Sequence, residues 1–126
     1  MPDLKIGWLT VDSKEPHTLG AFWKEALGFA VVHQDDDGDE LAIGGRGRAG
    51  TSWSILFYRA AGEKATKNRL HLDLIPDKDQ AAEVARLEKL GATRADIGQG
   101  DVTWVVMADP EGNEFCVLSP RDDIPE

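Results

Sequence analysis

The sequence has few of the features that mark a specialised class of protein. It contains one cysteine, Cys116, so no disulfide can form within the chain, and this favours a cytoplasmic location. No apolar run approaches the roughly 20 residues that a membrane-spanning helix needs, so we expect no membrane partner. Basic residues are outnumbered, with 14 Lys and Arg against 23 Asp and Glu and a net charge of −9. This acidic balance argues against binding to nucleic acid.

The composition that remains is that of an ordinary globular domain. Hydrophobic residues make up 41% of the 126 residues and charged residues 29%, and a chain of this length can bury a substantial core. We therefore expect one domain over residues 1–126. The acidic run at 35–40 is expected to be a solvated hairpin turn, because the glutamate that would complete a calcium loop is missing. The glycine-rich stretch at 44–50 is expected to be a mobile flap.

The two halves of the chain repeat one pattern at an offset of 63 residues. Leu27-Gly28 ends one helical pattern and Leu90-Gly91 ends the next, 63 positions later, as a glycine just past a helix does. A repeat of this length is a supersecondary unit that buries its apolar face against its copy. We predict a first module at about residues 1–63 and a second at about 68–126, joined by a polar connector at 60–67.

Each predicted module contains a strand, a helix and three further strands. The first comprises strand 4–11, helix 16–27 and strands 29–34, 41–43 and 52–59. The second comprises strand 69–75, a helix opened by an Asp77 N-cap and ending at Leu90, and strands 93–97, 101–108 and 114–118, followed by a polar tail from 119. The order predicts an α+β fold of two βαβββ modules that form a curved mixed sheet around a cleft, with the helices on the outer face.

Residues 68–74 are the most informative stretch, because apolar and polar side chains alternate along them. Strand side chains point alternately to opposite faces. One face of this predicted strand therefore carries Leu70, Leu72 and Leu74. The other face carries Arg69, His71 and Asp73. We predict that the leucines are buried against the helices and that the polar row faces the cleft.

Three segments resemble the vicinal oxygen chelate superfamily, which includes glyoxalase I, bleomycin-resistance proteins and extradiol dioxygenases. They are 22–29 (FWKEALGF), 68–74 (NRLHLDL) and 109–115 (DPEGNEF). The resemblance covers nearly the whole chain and is nearest to a glyoxalase-like subgroup of unassigned reaction. It implies paired βαβββ modules, a concave sheet that holds a small ligand, and a homodimer.

The resemblance also implies where a metal would bind. In metal-dependent members the first strand of each module supplies a His or Gln, and the last strand supplies a Glu. Transferred to this sequence, the first-strand positions are Trp8 and His71, and the last-strand positions are close to Trp53 and Cys116. Only His71 matches the pattern, so we expect no metal there and no cofactor. Asp73 is a partner of His71 two residues along, and Glu114 and Cys116 would add to this pair if they lie nearby.

Aromatic and polar side chains predicted on the cleft face form a candidate ligand site. Trp104 belongs to this face if the 109–113 hairpin has a three-residue loop that pairs Asp109 with Asn113, since a shift by one residue flips the face. Aromatic walls with a few polar groups are typical of small-molecule pockets. The candidate ligand-binding residues are Trp8, Trp53, Arg69, His71, Asp73, Trp104, Glu114 and Cys116.

The expected function is binding of a small, partly apolar or aromatic molecule in the cleft without a metal. An enzyme is the alternative: a metal-dependent isomerase, lyase or dioxygenase using His71, or a metal-free catalyst with His71 and Glu114 as acid and base. A dimeric scaffold is a third hypothesis. Cys116 is expected to fill a core rather than to act as a nucleophile. The sequence names neither the ligand nor a reaction.

Overall fold

The structure of the protein is a computed structural model that describes residues 3–47 and 50–121. The predicted tail therefore falls mostly outside the described residues, as do residues 48 and 49 of the predicted flap. The elements are β1 (Leu9–Ser13), α1 (Pro16–Leu27), β2 (Ala30–Gln34), β3 (Glu40–Arg46), β4 (Ser52–Arg59), β5 (Asp73–Leu74), α2 (Gln80–Leu90), β6 (Thr93–Arg94), β7 (Val105–Ala108) and β8 (Glu114–Val117). Neither of the helices in this part of the chain is long and apolar enough to cross a membrane.

The order βαβββ occurs twice, and each copy has its own four-stranded sheet. The strand orders are β1-β4-β3-β2 and β5-β8-β7-β6, so the two sheets share one topology. In each sheet the first strand is parallel to the last strand, and the other neighbours are antiparallel. The chain divides into two compact units, one up to Gly62 and one from Glu63. The predicted α+β fold of two βαβββ modules is confirmed.

In the first unit, α1 packs on one face of the sheet. Pro16 opens the helix and Gly28 ends it in the left-handed conformation, with φ of 68°, at the predicted boundaries. The helix lies close to the strands at Gly20, where an added Cβ would come within 2.3 Å of the Leu41 side chain and 3.2 Å of Phe57. The buried apolar residues of this unit are Leu19, Phe22, Trp23, Ala26, Leu41, Ala42, Ile43, Ile55 and Phe57.

In the second unit, α2 begins later than predicted. Its N-cap is Asp79, whose carboxylate accepts a hydrogen bond from the Ala82 N–H at 3.0 Å. The prediction that Asp77 caps the helix is wrong. Gln80 does not complete a capping box, because its side-chain amide donates to the carbonyls of Thr103 and Val117, at 2.9 and 3.0 Å. The buried apolar residues of this unit are Val84, Leu87, Ala92, Val106, Met107, Phe115, Cys116 and Val117.

The first strand of each module is shorter than predicted. β1 begins at Leu9 rather than at residue 4, and β5 contains only Asp73 and Leu74. The prediction that Leu70 is buried is wrong, since its side chain is 82% exposed. The reason for Leu70 lies in the partner strand: β8 begins at Glu114, which the register places opposite His71, so Leu70 has no opposite residue with which to continue the ladder.

Candidate functional site

The sheet of the second unit has one face that carries the predicted polar row. The register pairs Asp73 of β5 with Cys116 of β8, and Cys116 in turn with Val106 of β7. Directly paired residues point to the same face of a sheet. His71 lies two residues before Asp73, in the segment that leads into β5. Asp73, Cys116 and Val106 thus form a row across three strands, with His71 at its β5 end.

His71 and Asp73 are in direct contact and both are accessible. His71 Nε2 lies 3.2 Å from Asp73 Oδ1, and the side chains are 40% and 52% exposed. A neutral imidazole whose Nε2 faces a carboxylate carries its proton on that nitrogen, which leaves Nδ1 as an acceptor. Asp73 therefore orients the ring, and Nδ1 is the nitrogen of the neutral ring that can accept a hydrogen bond from another molecule.

Cys116 is buried beneath this pair. Burial raises the pKa of its thiol, and both the charge of Asp73 and a hydrogen bond from the thiol to that carboxylate raise it further. A nucleophilic cysteine needs the opposite environment, in which a nearby cation stabilises the thiolate. The thiol is protonated at neutral pH, and its surroundings are those of a packed core residue.

His71, Asp73 and Cys116 also bring three metal-ligating groups together. One nitrogen, one carboxylate oxygen and one sulfur from these residues all lie within 4.8 Å of one another. Among residues 3–47 and 50–121, the other such group is the acidic turn of the first unit, formed by Asp35, Asp37 and Asp39.

The first unit provides no matching ligands at the equivalent positions. The position that corresponds to Cys116 is Leu56, because Leu56 pairs with Thr10 of β1 just as Cys116 pairs with Asp73 of β5. The sequence assignment of this position to Trp53 is wrong. The indole of Trp8 and the side chain of Leu56 cannot bind a cation, so the four-ligand set of metal-dependent relatives does not fit this chain.

Glu114 is held in a polar cluster rather than left free on the sheet. Its Oε1 accepts the Asn68 N–H at 2.7 Å, and its Oε2 accepts the Lys64 ammonium at 2.6 Å. Burial by itself raises the pKa of Glu114, but the bonds from Asn68 and Lys64 outweigh it and the net pKa is lowered. This carboxylate stays ionised at neutral pH with both oxygens occupied, and it fastens the connector between the modules to β8.

Sequence reasoning assigned no role to Lys64 or Asn68, which hold Glu114 in place. Lys64 lies 50 residues from its partner in the chain. It stands in a polar connector without periodicity, and no short-range pattern marks such a contact. Asn68 begins the informative stretch, yet its contribution is a backbone N–H, which any residue other than proline supplies.

The 109–113 hairpin has the three-residue loop that the prediction for Trp104 required. The Asp109 N–H donates to the Asn113 carbonyl at 2.9 Å, so the loop has three residues, as that prediction required. Trp104 immediately precedes β7, and alternation continued back from Val106 would place it on the face of Cys116. Its side chain is 40% exposed. The distance between neighbouring strands and the rise per residue together give a separation of roughly 15 Å between Trp104 and His71, which lie two strands apart and four residues apart along the strand direction.

The remaining candidates are less closely grouped. Trp53 pairs with Gly45 and alternates with Ile55, so it lies on the face of the first sheet that packs against α1. Its indole covers Gly47, where an added Cβ would come within 2.5 Å of Nε1. The prediction that Trp53 shares a face with Trp8 is wrong, because Trp8 alternates with Leu9 and Leu9 pairs with Ile55. In the second unit, Arg69 is exposed ahead of β5.

Comparison with known proteins identifies the family. The sequence matches the family model described as Glyoxalase-like domain over residues 8–118, which is most of the chain. The chain belongs to the glyoxalase-like domain family. The predicted resemblance to the vicinal oxygen chelate superfamily is thereby confirmed. A search of curated proteins found no significant match to this glyoxalase-like domain.

Solved structures share the fold of this glyoxalase-like domain over nearly its full length. TnmS3, an antibiotic binding protein from Streptomyces sp. CB03234, is 21% identical with a TM-score of 0.62, over 96% of this chain and 99% of that one. The fosfomycin resistance protein FosX from Mesorhizobium loti is 11% identical with a TM-score of 0.64, over 94% and 92%. A glyoxalase-related enzyme from Fulvimarina pelagi is 12% identical with a TM-score of 0.64, over 97% and 95%. At these identities the likeness establishes the fold alone.

Proposed function

We propose that this glyoxalase-like domain binds a small, partly apolar or aromatic molecule on the face of the second sheet that carries His71 and Asp73. The observation that carries the proposal is the accessible pair itself. Both side chains are exposed, the ring is oriented by a 3.2 Å contact, and its Nδ1 is left to accept a hydrogen bond. A ligand with a hydroxyl or other N–H or O–H donor matches that acceptor.

The apolar part of the ligand would contact Trp104 on the same face. A molecule that touches both Trp104 and His71 spans roughly 15 Å by the strand spacings, which is the size of a polycyclic natural product rather than of a two-carbon metabolite. An antibiotic binding protein and a fosfomycin resistance protein share this fold, which supports ligands of the natural-product class. Arg69, exposed ahead of β5, would accommodate an anionic substituent.

The same contacts favour a binding role over acid–base catalysis. A catalytic pair of His71 and Glu114 requires a carboxylate that can exchange a proton near neutral pH. The lowered pKa of Glu114 and its two occupied oxygens oppose that role. The raised pKa of the Cys116 thiol likewise argues against a role as a nucleophile.

The proposal includes the assembly implied by the family resemblance. The two modules form one domain, the domain pairs as a homodimer, and it acts in the cytoplasm. Light scattering at micromolar concentration tests the homodimer, for which we expect a measured mass of twice the chain mass of 13.8 kDa. Calorimetry tests whether the two modules form a single domain, for which we expect one cooperative unfolding transition.

A thermal-shift screen of hydroxylated aromatic compounds, run on chelator-treated protein, tests the function. A compound that binds the native state raises the melting temperature, by an amount that grows with the logarithm of its concentration relative to Kd. We expect His71→Ala to lose the shift and His33→Ala to keep it. His33 is a matched control because its Nε2 lies 3.2 Å from Glu40 Oε2 and is similarly exposed, but on β2 of the first unit. Equal loss in both variants would refute the proposed site.

A further inference from the structure

The side-chain amide of Gln80 bridges strand β8 and the segment of chain that leads into β7. Its Nε2 donates to the Thr103 carbonyl at 2.9 Å and to the Val117 carbonyl at 3.0 Å. A primary amide has two N–H donors, so these two bonds use both of them. The orientation of the amide is determined, because the opposite one would turn its oxygen toward two carbonyl oxygens.

Gln80 reaches these carbonyls from a rigid element. It is the first residue of α2 and directly follows the Asp79 N-cap, whose carboxylate accepts the Ala82 N–H at 3.0 Å. The same helix buries Val84 and Leu87 in the core of the second unit. The amide is therefore held in place by a capped and packed helix and does not depend on a flexible loop.

The bond to Thr103 acts on the residue next to Trp104. Trp104 precedes β7 and lies outside its ladder with β8, whose first pair is Val105 with Val117. Gln80 links the carbonyl of Val117 to that of Thr103, so it holds the chain just beyond the point where the ladder begins. The backbone of Trp104 is thus fixed on one side by the ladder at Val105 and on the other by the bond to Thr103.

We infer that Gln80 is a positioning residue of the ligand site and determines where the indole of Trp104 stands. The inference rests on the proposed function, because it assigns Gln80 a part in the length of that site. Gln80 acts through the Thr103 carbonyl and not through contact with the ligand. The consequence is selectivity by length: a ligand that reaches Trp104 depends on Gln80, whereas a ligand confined to His71 does not.

Fluorine NMR of full-length protein labelled with fluorotryptophan tests this role without a ligand. The chain contains four tryptophans, and Trp104→Phe identifies the Trp104 resonance. Gln80→Met keeps the length of the side chain but removes both donors. It should shift or broaden the Trp104 resonance and leave those of the first unit's tryptophans unchanged. Gln80→Lys, whose ammonium group can donate to both carbonyls, should restore the resonance toward that of wild type.

The affinities for two phenols of different length give a second readout. A para-hydroxylated terphenyl is long enough to extend from His71 to Trp104, and phenol carries the same hydroxyl on a single ring. Contact with an aromatic side chain is worth about 2- to 10-fold in affinity. Gln80→Met should weaken terphenyl binding by about this factor relative to phenol binding. A general loss of structure would instead weaken both alike.

Gln99→Met is the matched control in the same unit. Gln99 is similarly half-buried, and its Nε2 donates to the Ala95 carbonyl, after β6, at 3.3 Å. This variant should leave the Trp104 resonance and the ratio of the two affinities unchanged. An unaltered Trp104 resonance in Gln80→Met, or an equal change in Gln99→Met, would overturn the inference. Terphenyl binding that His71→Ala does not weaken would contradict the proposed function instead, and the resonance would still decide the role of Gln80.

Discussion

Replacement of Glu114 tests whether this carboxylate is a structural tie or a catalytic group. Its side chain is 14% exposed, and it accepts two hydrogen bonds, one of them from the 20% exposed Lys64. A hydrogen bond to a charged group contributes about 1.5–3 kcal/mol, and a partly exposed ion pair adds less than 1 kcal/mol. We expect Glu114→Ala to lower the free energy of unfolding by about 2–3 kcal/mol and Glu114→Gln, which keeps one acceptor, by about 1 kcal/mol.

The pH dependence of this effect has a definite sign. The pKa of Glu114 is lowered in the folded state, so its contribution is complete above the unfolded value near 4.5 and disappears as the pH falls through the folded pKa. Urea unfolding at pH 7 and at acidic pH measures the difference between wild type and Glu114→Gln. That difference should shrink on acidification.

A matched control and a second readout make the result decisive. Glu25→Gln removes a carboxylate that is 61% exposed and paired with Lys24, and it should change stability by less than about 0.5 kcal/mol. Ligand binding by Glu114→Gln should persist once folding is complete. If Glu114→Gln leaves stability unchanged but abolishes binding or activity, Glu114 belongs to the functional site and the structural interpretation is wrong.

Three further predictions concern packing and the acidic turn. Gly20→Ala should destabilise the protein by about 1–3 kcal/mol despite alanine's higher helix propensity, because the new methyl meets Leu41 at 2.3 Å; urea unfolding measures it. Leu87→Ala should cost about 2–5 kcal/mol and Leu70→Ala less than about 0.5, since the first is 2% and the second 82% exposed; equal effects would contradict the burial pattern. Asp35, whose pKa is lowered, should contribute stability that is lost as the pH falls through its folded value, so Asp35→Asn should converge with wild type in acid melts.

Local signals predicted the helices and the strand next to the connector well. Pro16 suits the first turn of α1 because it lacks an N–H, Gly28 adopts the left-handed angles that end α1, and 52–59 has the length and residue types of a strand. The ends of β1 and β5 could not be predicted in the same way. The partner of β5 begins after a hairpin turn about 40 residues later, which no local pattern in residues 69–75 encodes, and β1 begins at Leu9 although its partner β4 begins earlier in register.

The site depended on a register that the repeat alone could not give. The first strands of the two modules align at an offset of 63, but the last strands align at 60, since Leu56 and Cys116 hold equivalent places. Three fewer residues separate the helix end from the last strand in the second module. An odd shift moves a side chain to the other face of the sheet, which is why Trp53 was assigned to the wrong face.

Mapping a bound ligand on the protein backbone tests the central claim most directly. A compound found by thermal shift is titrated into isotope-labelled protein, and amide chemical shifts are followed by two-dimensional NMR. We predict that the largest changes lie at Asp73 and Cys116 and at their neighbours on β5 and β8, with a smaller change at Trp104, and that His71→Ala removes them. Changes confined to the first unit, or unaltered binding by His71→Ala, would contradict the assignment of function to this face.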